Sequence, residues 1–305
     1  MQLINPVKAT ITPVELPFNT KVTLHMLRED LVGGMVPGNK ARKLKYNILQ
    51  AQKQGATTLL SFGGAYSNHI VALAAAGKQF GFKTVGMIRG EELGDKWQQN
   101  PTLMQAAGYG MHLEFISRAA YRQKESSEFL DTLKTRWSSV YIIPEGGTNA
   151  LAIQGCKEIL NSNTAEYNYI CAPVGTGGTL AGIIEASNAD QKILGFSALH
   201  GNFLETELCK LTQKRNWKLH GEYSFGGYAK INQQLITFIN EFKNQYQIGL
   251  DPVYTAKMVY GIFEMIKAGN FSENSRILAV HTGGLQGIAG MNQKLLKKGM
   301  PLLIT

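Results

Sequence analysis

From residue 58 onward this chain alternates short apolar runs with amphipathic stretches, and that alternation limits its possible folds more than any other feature. Strands separated by helices cannot pair as tight hairpins, so they pair in parallel, with the helices laid across the faces of the sheet. TLLSF (58–62) reads as a strand and the Ala-rich stretch 67–79 as the helix after it. KTVGMI (83–88), a helix around 101–107, MHLEFI (111–116), one long polar helix over 118–137 and VYIIP (140–144) follow. The alternation resumes with a helix over 151–160, the strand YNYICAPV (167–174), a helix over 179–187 and the strand KILGFSA (192–198). A less regular stretch containing SFGGYAK (224–230) leads to two helices around Asp251-Pro252 and a last strand in RILAVHTGG (276–284). The pattern predicts an α/β protein of two units, each an open, mainly parallel sheet flanked by helices. In such sheets ligands collect at the carboxyl ends of the strands, which is where the glycine-rich segments of this chain fall.

With 305 residues, 44% hydrophobic and 17% charged, the chain can bury a sizeable core. No apolar run approaches the roughly 20 residues of a membrane span. The start MQLINPVKATITPVELPF lacks the basic, apolar and small-residue order of a secretory signal. A cytosolic protein with no membrane partner is the expectation. Cys156, Cys171 and Cys209 are too few and too far apart for a disulfide framework or a paired zinc site, so no metal is expected. The net charge of +9 favours polyanions, but Lys40, Arg42, Lys43 and Lys45 form the only dense N-terminal basic run, without interleaved aromatics. A solvated helix face plus a phosphate ligand accounts for that run without nucleic acid.

Three segments and one C-terminal pair can carry chemistry. In SFGGAYSNHI (61–70) a strand runs through Gly63-Gly64 into a helix opened by Ser67 and Asn68. Free N–H groups and hydroxyls at a helix start can hold a carboxylate, and the same residues serve equally as plain N-caps. A serine-hydrolase elbow does not fit, because the glycines of G-x-S-x-G are missing around Ser67. His69 reads as a packed helical residue rather than a base. In PVGTGGTLAG (173–182) the backbone N–H groups of Gly175, Thr176, Gly177, Gly178 and Thr179 make a nest for a phosphate. Leu180 stands where G-x-G-x-x-G needs its third glycine, and no Lys-Ser/Thr pair follows. The phosphate therefore belongs to neither a dinucleotide nor a nucleoside triphosphate.

In PGNKARKLKYN (37–47), Pro37-Gly38 marks a turn, Asn39 is the predicted N-cap and Lys40 falls in the first helical turn. An amine at the positive end of a helix, if also desolvated, loses basicity and suits imine formation. Spacing alone does not separate Lys40 from its neighbours; Arg42, Lys43 and Lys45 read as surface residues. LDPVYTAK (250–257) places Tyr254 and Thr255 at a helix start, and AVHTGGLQG (279–287) places Thr282 after a strand. A tyrosine can give or take a proton, and a threonine hydroxyl can hydrogen-bond a pyridine nitrogen or a carboxylate.

Taken together, GNKARKLKYN, SFGGAYSNH, VGTGGTLAG, FGGYA, DPVYTAK and HTGG occur in the order found in one family. The chain resembles the 1-aminocyclopropane-1-carboxylate (ACC) deaminase and D-cysteine desulfhydrase group, enzymes of the tryptophan synthase beta-like fold type II that depend on pyridoxal 5'-phosphate (PLP). The resemblance runs from about Arg28-Glu29-Asp30 to Gly284. It implies a larger PLP-binding domain from residues 1–44 and 149–305, a smaller inserted α/β domain over 45–148, and a homodimer. It puts the Schiff-base lysine at Lys40, matches Asn68 to an asparagine on the cofactor's 3'-oxygen, and sets Ser67 beside the substrate. The backbone from Gly175 to Thr179 would hold the phosphate, with Thr255 and Thr282 as further cofactor contacts. Tyr228 and Tyr254 match the family's two active-site tyrosines, candidates for acid-base or substrate-activating roles.

One position discriminates within that family. ACC deaminases carry a glutamate after DPVY, opposite the pyridine nitrogen; this chain has Thr255, as desulfhydrase-like members do. A carboxylate there keeps the nitrogen protonated and strengthens the electron sink, whereas a neutral hydroxyl does not. Expelling a thiolate needs less carbanion stabilisation than opening a cyclopropane. The expected activity is β-elimination from a small amino acid, D-cysteine giving pyruvate, ammonia and hydrogen sulfide. The alternative is deamination of ACC to 2-oxobutyrate and ammonia. Retention of Lys40, Asn68, both tyrosines and the phosphate loop argues against a binding protein without catalysis. The segment after Arg89 and the sequence FGGYAKIN depart from the better-known members.

Overall fold

Residues 58–63 are buried at every position, the mark of a strand covered on both faces rather than one. The structure, a computed structural model, describes residues 9–199 and 203–305. Its elements in chain order are β1 (Ile11–Val14), β2 (Thr23–Leu27), α1 (Asn39–Lys53), β3 (Thr58–Gly63), α2 (Asn68–Phe80), β4 (Lys83–Arg89) and α3 (Pro101–Gly108). Then come β5 (Met111–Ile116), α4 (Arg118–Arg122), α5 (Ser127–Arg136), β6 (Val140–Ile143), α6 (Ala150–Lys157), β7 (Tyr169–Val174), α7 (Gly178–Ala186) and β8 (Lys192–Ser197). The last are α8 (Phe203–Leu211), β9 (Trp217–His220), α9 (Gln233–Tyr246), α10 (Thr255–Lys267), β10 (Arg276–Val280) and α11 (Gly287–Lys297).

The strands form two sheets. One is four-stranded and parallel throughout, in the order β5-β4-β3-β6. The other has six strands in the order β1-β2-β10-β7-β8-β9 and is parallel except for the β1/β2 pair at its edge. Both ends of the chain thus build the larger sheet, and the segment between them builds the smaller. The carboxyl ends of β3, β4, β6, β7 and β10 each lead into residues that line one cavity. Among the described residues no helix is long and apolar enough to cross a membrane.

The parallel α/β pattern of the sequence is what the structure has, with three local differences. The polar stretch expected as one helix is two, α4 and α5, because Ser126 breaks it. Its hydroxyl donates to the carbonyl of Gln123 at 2.9 Å and accepts the N–H of Phe129 at 3.3 Å, ending one helix and capping the next. Strands β1, β2 and β9 and helices α8 and α11 carried too little periodicity to be expected. The third difference concerns the basic run. Arg42 and Lys43 are 4% and 2% exposed, not part of a solvated face. Arg42 donates to both carboxylate oxygens of buried Glu29 at 3.0 and 2.9 Å, and Lys45 reaches Glu158 at 2.7 Å. Glu29 precedes α1 and Glu158 lies over a hundred residues further on, so no spacing within the run shows either pairing.

Small residues bring α1, α6 and α7 unusually close. A Cβ added at Gly155 would lie 2.0 Å from the carbonyl oxygen of Arg42, and one at Gly182 would lie 2.4 Å from the Cβ of Cys156. This approach carries the amines of α1 to the N-terminus of α7. The Gly155→Ala variant is expected to force α1 and α6 apart at a cost of about 1–3 kcal/mol, since backbone cannot yield as a side chain does. Thermal denaturation reads that cost as a lower Tm; an unchanged Tm would show that the helices separate freely.

Candidate active site

The motif G-N-K fixes Lys40 from both sides. Gly38, with φ 68°, holds the N-cap position, and a Cβ there would lie 2.3 Å from the carbonyl oxygen of Thr282. Only glycine permits this turn against the end of β10. Asn39 is not the N-cap that the sequence suggested but the first helical residue: its N–H donates to Thr282 O at 3.2 Å. Its side chain accepts from Lys40 Nζ at 2.9 Å and donates to Thr179 Oγ1 at 2.9 Å. Asn39 therefore ties the Lys40 amine to the first turn of α7. Burial lowers the pKa of Lys40, with Cys156 and Asp251 pulling weakly the other way. The result is an amine that gives up its proton readily and faces a cavity of about 450 Å3.

Lys43, one turn along α1, has a different environment. Its Nζ donates to Gly146 O at 2.5 Å and Thr148 Oγ1 at 2.9 Å, and reaches Thr176 Oγ1 at 3.5 Å. Burial lowers its pKa to about 7, and the nearby Lys40 adds to the effect. The loop from Gly175 to Thr179 faces it, with Gly177 at φ 83° as the N-cap of α7. A Cβ at Gly178 would sit 2.8 Å from Thr148 Oγ1 and 3.2 Å from Lys43 Nζ. A buried ammonium, threonine hydroxyls and unobstructed N–H groups at a helix N-terminus converge here. No carboxylate pairs with Lys43 among the described residues. That donor set fits a phosphate.

The start of α2 offers further donors toward the cavity. Ser67 is its N-cap, its Oγ accepting the N–H of Ile70 at 3.4 Å. The hydroxyl proton stays free to donate, as do the first N–H groups of the helix, so capping and carboxylate binding are compatible. His69 is 2% exposed and lines the cavity. Burial, with Lys43 and Lys40 nearby, drives its pKa well below the ordinary value, so it is neutral. Ser61 Oγ lies 2.9 Å from its Nε2 and donates to Pro144 O at 3.2 Å, which makes Nε2 the protonated nitrogen of His69.

The two tyrosines meet edge to face, with ring centroids of Tyr228 and Tyr254 6.1 Å apart. Burial raises the Tyr254 phenol well above its usual range, and Tyr228 and Asp251 add to the effect. Tyr254 therefore keeps its proton. Lys257 in DPVYTAK staples the FGGYA loop that presents Tyr228: its Nζ donates to Ser224 O and Gly227 O, both at 2.7 Å. Asp251 accepts N–H groups from Val253, Tyr254 and Thr255 at 2.6, 2.9 and 3.5 Å. Burial nonetheless raises its carboxyl to about 6.

Lys40, Ser67, Asn68, Gly175, Thr176, Gly177, Gly178, Thr179, Tyr228, Tyr254 and Thr282 all line the one cavity. Thr255 does not. It is fully buried, and its hydroxyl accepts from Asp251 N at 2.8 Å and donates to Asp251 O at 3.3 Å, so it is spent on the turn before α10. Lys43, Arg89, Glu145 and Gly146 line the cavity without having been expected. Glu145-Gly146-Gly147-Thr148 is another glycine-rich strand end, the same signal that marked the other loops. Among the described residues no cluster of His, Cys, Asp or Glu could hold a metal ion.

Comparison with known proteins identifies the family. A Pyrococcus horikoshii protein named "Putative 1-aminocyclopropane-1-carboxylate deaminase" is 30% identical over 292 residues, covering 90% of this chain and 88% of its own length. The Arabidopsis thaliana protein named bifunctional D-cysteine desulfhydrase/1-aminocyclopropane-1-carboxylate deaminase, mitochondrial, is 29% identical, covering 90% of this chain and 74% of that protein. A crystal structure described as that of the ACC deaminase homologue superposes with a TM-score of 0.83 at 28% identity, over 97% of this chain and 95% of the other. The profile of the family described as "Pyridoxal-phosphate dependent enzyme" matches residues 11–283. Lys40, the phosphate-fitting loop and the paired tyrosines lie within that span, and the chain belongs to the pyridoxal-phosphate dependent enzyme family.

Proposed function

We propose that this chain is a β-eliminating lyase of small amino acids, with D-cysteine giving pyruvate, ammonia and hydrogen sulfide. Lys43, Thr148, Thr176 and the Gly175–Thr179 backbone would hold the cofactor's phosphate, and Lys40 its carbonyl carbon. Asn68 is the candidate contact for the ring oxygen. Bound pyridoxal phosphate supplies an electrophilic carbonyl and a ring that draws electrons away from the substrate's Cα.

The protein's own groups divide the remaining work. Ser67 and the α2 N-terminus hold the substrate carboxylate. Lys40, once its amine is free, takes the Cα proton at Nζ; its lowered pKa leaves it the lone pair to do so. Tyr254 stays protonated and can give its proton to the departing substituent. Tyr228, held by the Lys257 staple, walls the site beside it.

The choice of substrate is carried by residue 255, a neutral threonine at the first turn of α10 where ACC deaminases have a glutamate. Among the described residues the only carboxylate lining the cavity is Glu145, and it lies 3.4 Å from Lys124. A site without a carboxylate at position 255 favours expulsion of a good leaving group over ring opening. ACC remains the second reading, because the Arabidopsis relative bears both activities in its name. Incubating purified protein with D-cysteine, L-cysteine, D-serine and ACC tests the choice. Hydrogen sulfide and pyruvate from D-cysteine are the expected products; 2-oxobutyrate from ACC with no sulfide from either cysteine would reverse it.

A further inference from the structure

Two turns carry groups that face the cavity, and one buried side chain joins them. The turn after β10, His281-Thr282-Gly283-Gly284, backs the Lys40 end of the site. The Thr282 carbonyl accepts the Asn39 N–H at 3.2 Å, and a Cβ at Gly38 would lie 2.3 Å from the same oxygen. The turn before α10, from Gly249 to Tyr254, holds the phenol end, where Asp251 accepts the Tyr254 N–H at 2.9 Å. Between the two lies His281, fully buried. Its Nε2 is 2.7 Å from Gly249 O, and its Nδ1 accepts the N–H of Gly283 at 3.2 Å. The two turns also close on Asn68. A Cβ at Gly284 would sit 2.8 Å from Asn68 Nδ2 and 2.9 Å from Asp251 Oδ2, so a small slip between the turns displaces the candidate contact for the ring oxygen.

The partners of His281 fix the state of its ring. A carbonyl can only accept, so Nε2 carries the proton; a backbone N–H can only donate, so Nδ1 carries none. Burial lowers the pKa of His281, in keeping with a neutral ring, while Asp30 pulls the other way. Asp30 Oδ1 lies 3.5 Å from Nδ1, but Arg28 engages both oxygens of that carboxylate at 2.8 and 2.7 Å, which blunts the pull. Neither bond of His281 belongs to a helix or a sheet ladder. A leucine would fill the same space and leave the Gly283 N–H and the Gly249 carbonyl without this link.

We propose that His281 is a positioning residue for the cofactor: its Nε2–H bond to Gly249 sets the turn that backs Lys40 against the turn that carries Tyr254, and so fixes the orientation of the ring held between them. His281 does not line the cavity and takes no part in bond breaking. The inference goes beyond the lyase reading, since it holds for any amino acid that the enzyme takes. It rests on Lys40 as the point of attachment, which borohydride reduction tests separately.

Two amide substitutions divide the two bonds. In His281→Gln the side chain reaches about as far as Nε2 and keeps a donor for Gly249 O. In His281→Asn the shorter side chain keeps an acceptor for the Gly283 N–H and loses the reach to Gly249. Visible circular dichroism of the lysine-bound cofactor, divided by its absorbance, reports how the ring is oriented and needs no turnover. His281→Gln should keep most of this signal and His281→Asn should lose at least half, while pyridoxine 5'-phosphate affinity, set by the Lys43 cradle, stays within about twofold in both. A full signal in His281→Asn would overturn the proposal. So would equal loss in both variants in step with a lower Tm, which would leave His281 a purely structural residue. The wild type gives a reading that depends on no variant: nitrogen NMR of histidine-labelled protein at pH 7 should show the His281 ring protonated at Nε2 and bare at Nδ1. A doubly protonated ring, or a proton on Nδ1, is incompatible with the Gly283 bond and would likewise overturn the proposal.

Discussion

Replacing Lys40 by alanine is expected to leave the fold intact and to lower turnover by about 1,000-fold or more. The substitution removes both the group that carries the cofactor and the base that takes the Cα proton. Little else depends on the side chain. The amine makes one hydrogen bond, to Asn39, and the turn that positions it is held by backbone: Gly38 against Thr282, and the Asn39 N–H on the Thr282 carbonyl. Circular dichroism and Tm should therefore match the wild type, while the visible absorbance of lysine-bound cofactor disappears. Activity that survives in Lys40→Ala would move the reaction to another amine, and among the described residues Lys43 is the other lysine lining the cavity.

The Lys43→Met variant is expected to bind pyridoxine 5'-phosphate about 100-fold more weakly at pH 7, from loss of a charged hydrogen-bonding partner in a buried site. This ligand lacks the aldehyde, so it reports the phosphate cradle without reaction at Lys40. The wild type should also show a pH dependence of defined sign. Burial puts the free Lys43 amine near 7, and pairing with a phosphate raises it, so binding takes up a proton between the two values. Affinity is fully present below about 7, where the amine is charged, and falls as pH rises through that range, by up to tenfold per unit. Titration by fluorescence or calorimetry at several pH values reads both effects. Unchanged affinity in Lys43→Met, or the same slope persisting without the amine, would remove Lys43 from the phosphate site.

The contrast between these two lysines shows how far the sequence could be read. The parallel architecture was legible because β3, β4, β7 and β8 are short apolar runs with helices between them, and covered strands leave that signature. The glycine-rich turn before α7 and the Ser67 turn were legible because glycines and capping residues at strand ends carry their geometry locally. Lys43 was not, because its role depends on Gly146, Thr148 and Thr176, more than a hundred residues away. Arg42 and Glu29 are only 13 residues apart, but nothing local to either shows that they pair in the interior, so a buried ion pair looked like a solvated charge. Thr255 differed in another way. The resemblance gave it a role at the cofactor, but its hydroxyl is bound within the Asp251 turn, and no spacing rule indicates which way a buried side chain faces. Arg89 ends an apolar strand, and only the packing of Tyr121 and Tyr228 around it identifies a cavity wall.

The central claim is that Lys40, and not Lys43, carries the cofactor. Lys43 Nζ is held by three oxygen atoms around the phosphate-fitting loop, whereas Lys40 Nζ has a single partner and a lowered pKa. Borohydride reduction of the holoenzyme, followed by proteolysis and mass spectrometry, locates the attachment directly. The phosphopyridoxyl group should be found on Lys40 alone. Recovery of the group on Lys43, or a protein that takes up pyridoxal phosphate without any lysine adduct, would contradict the account.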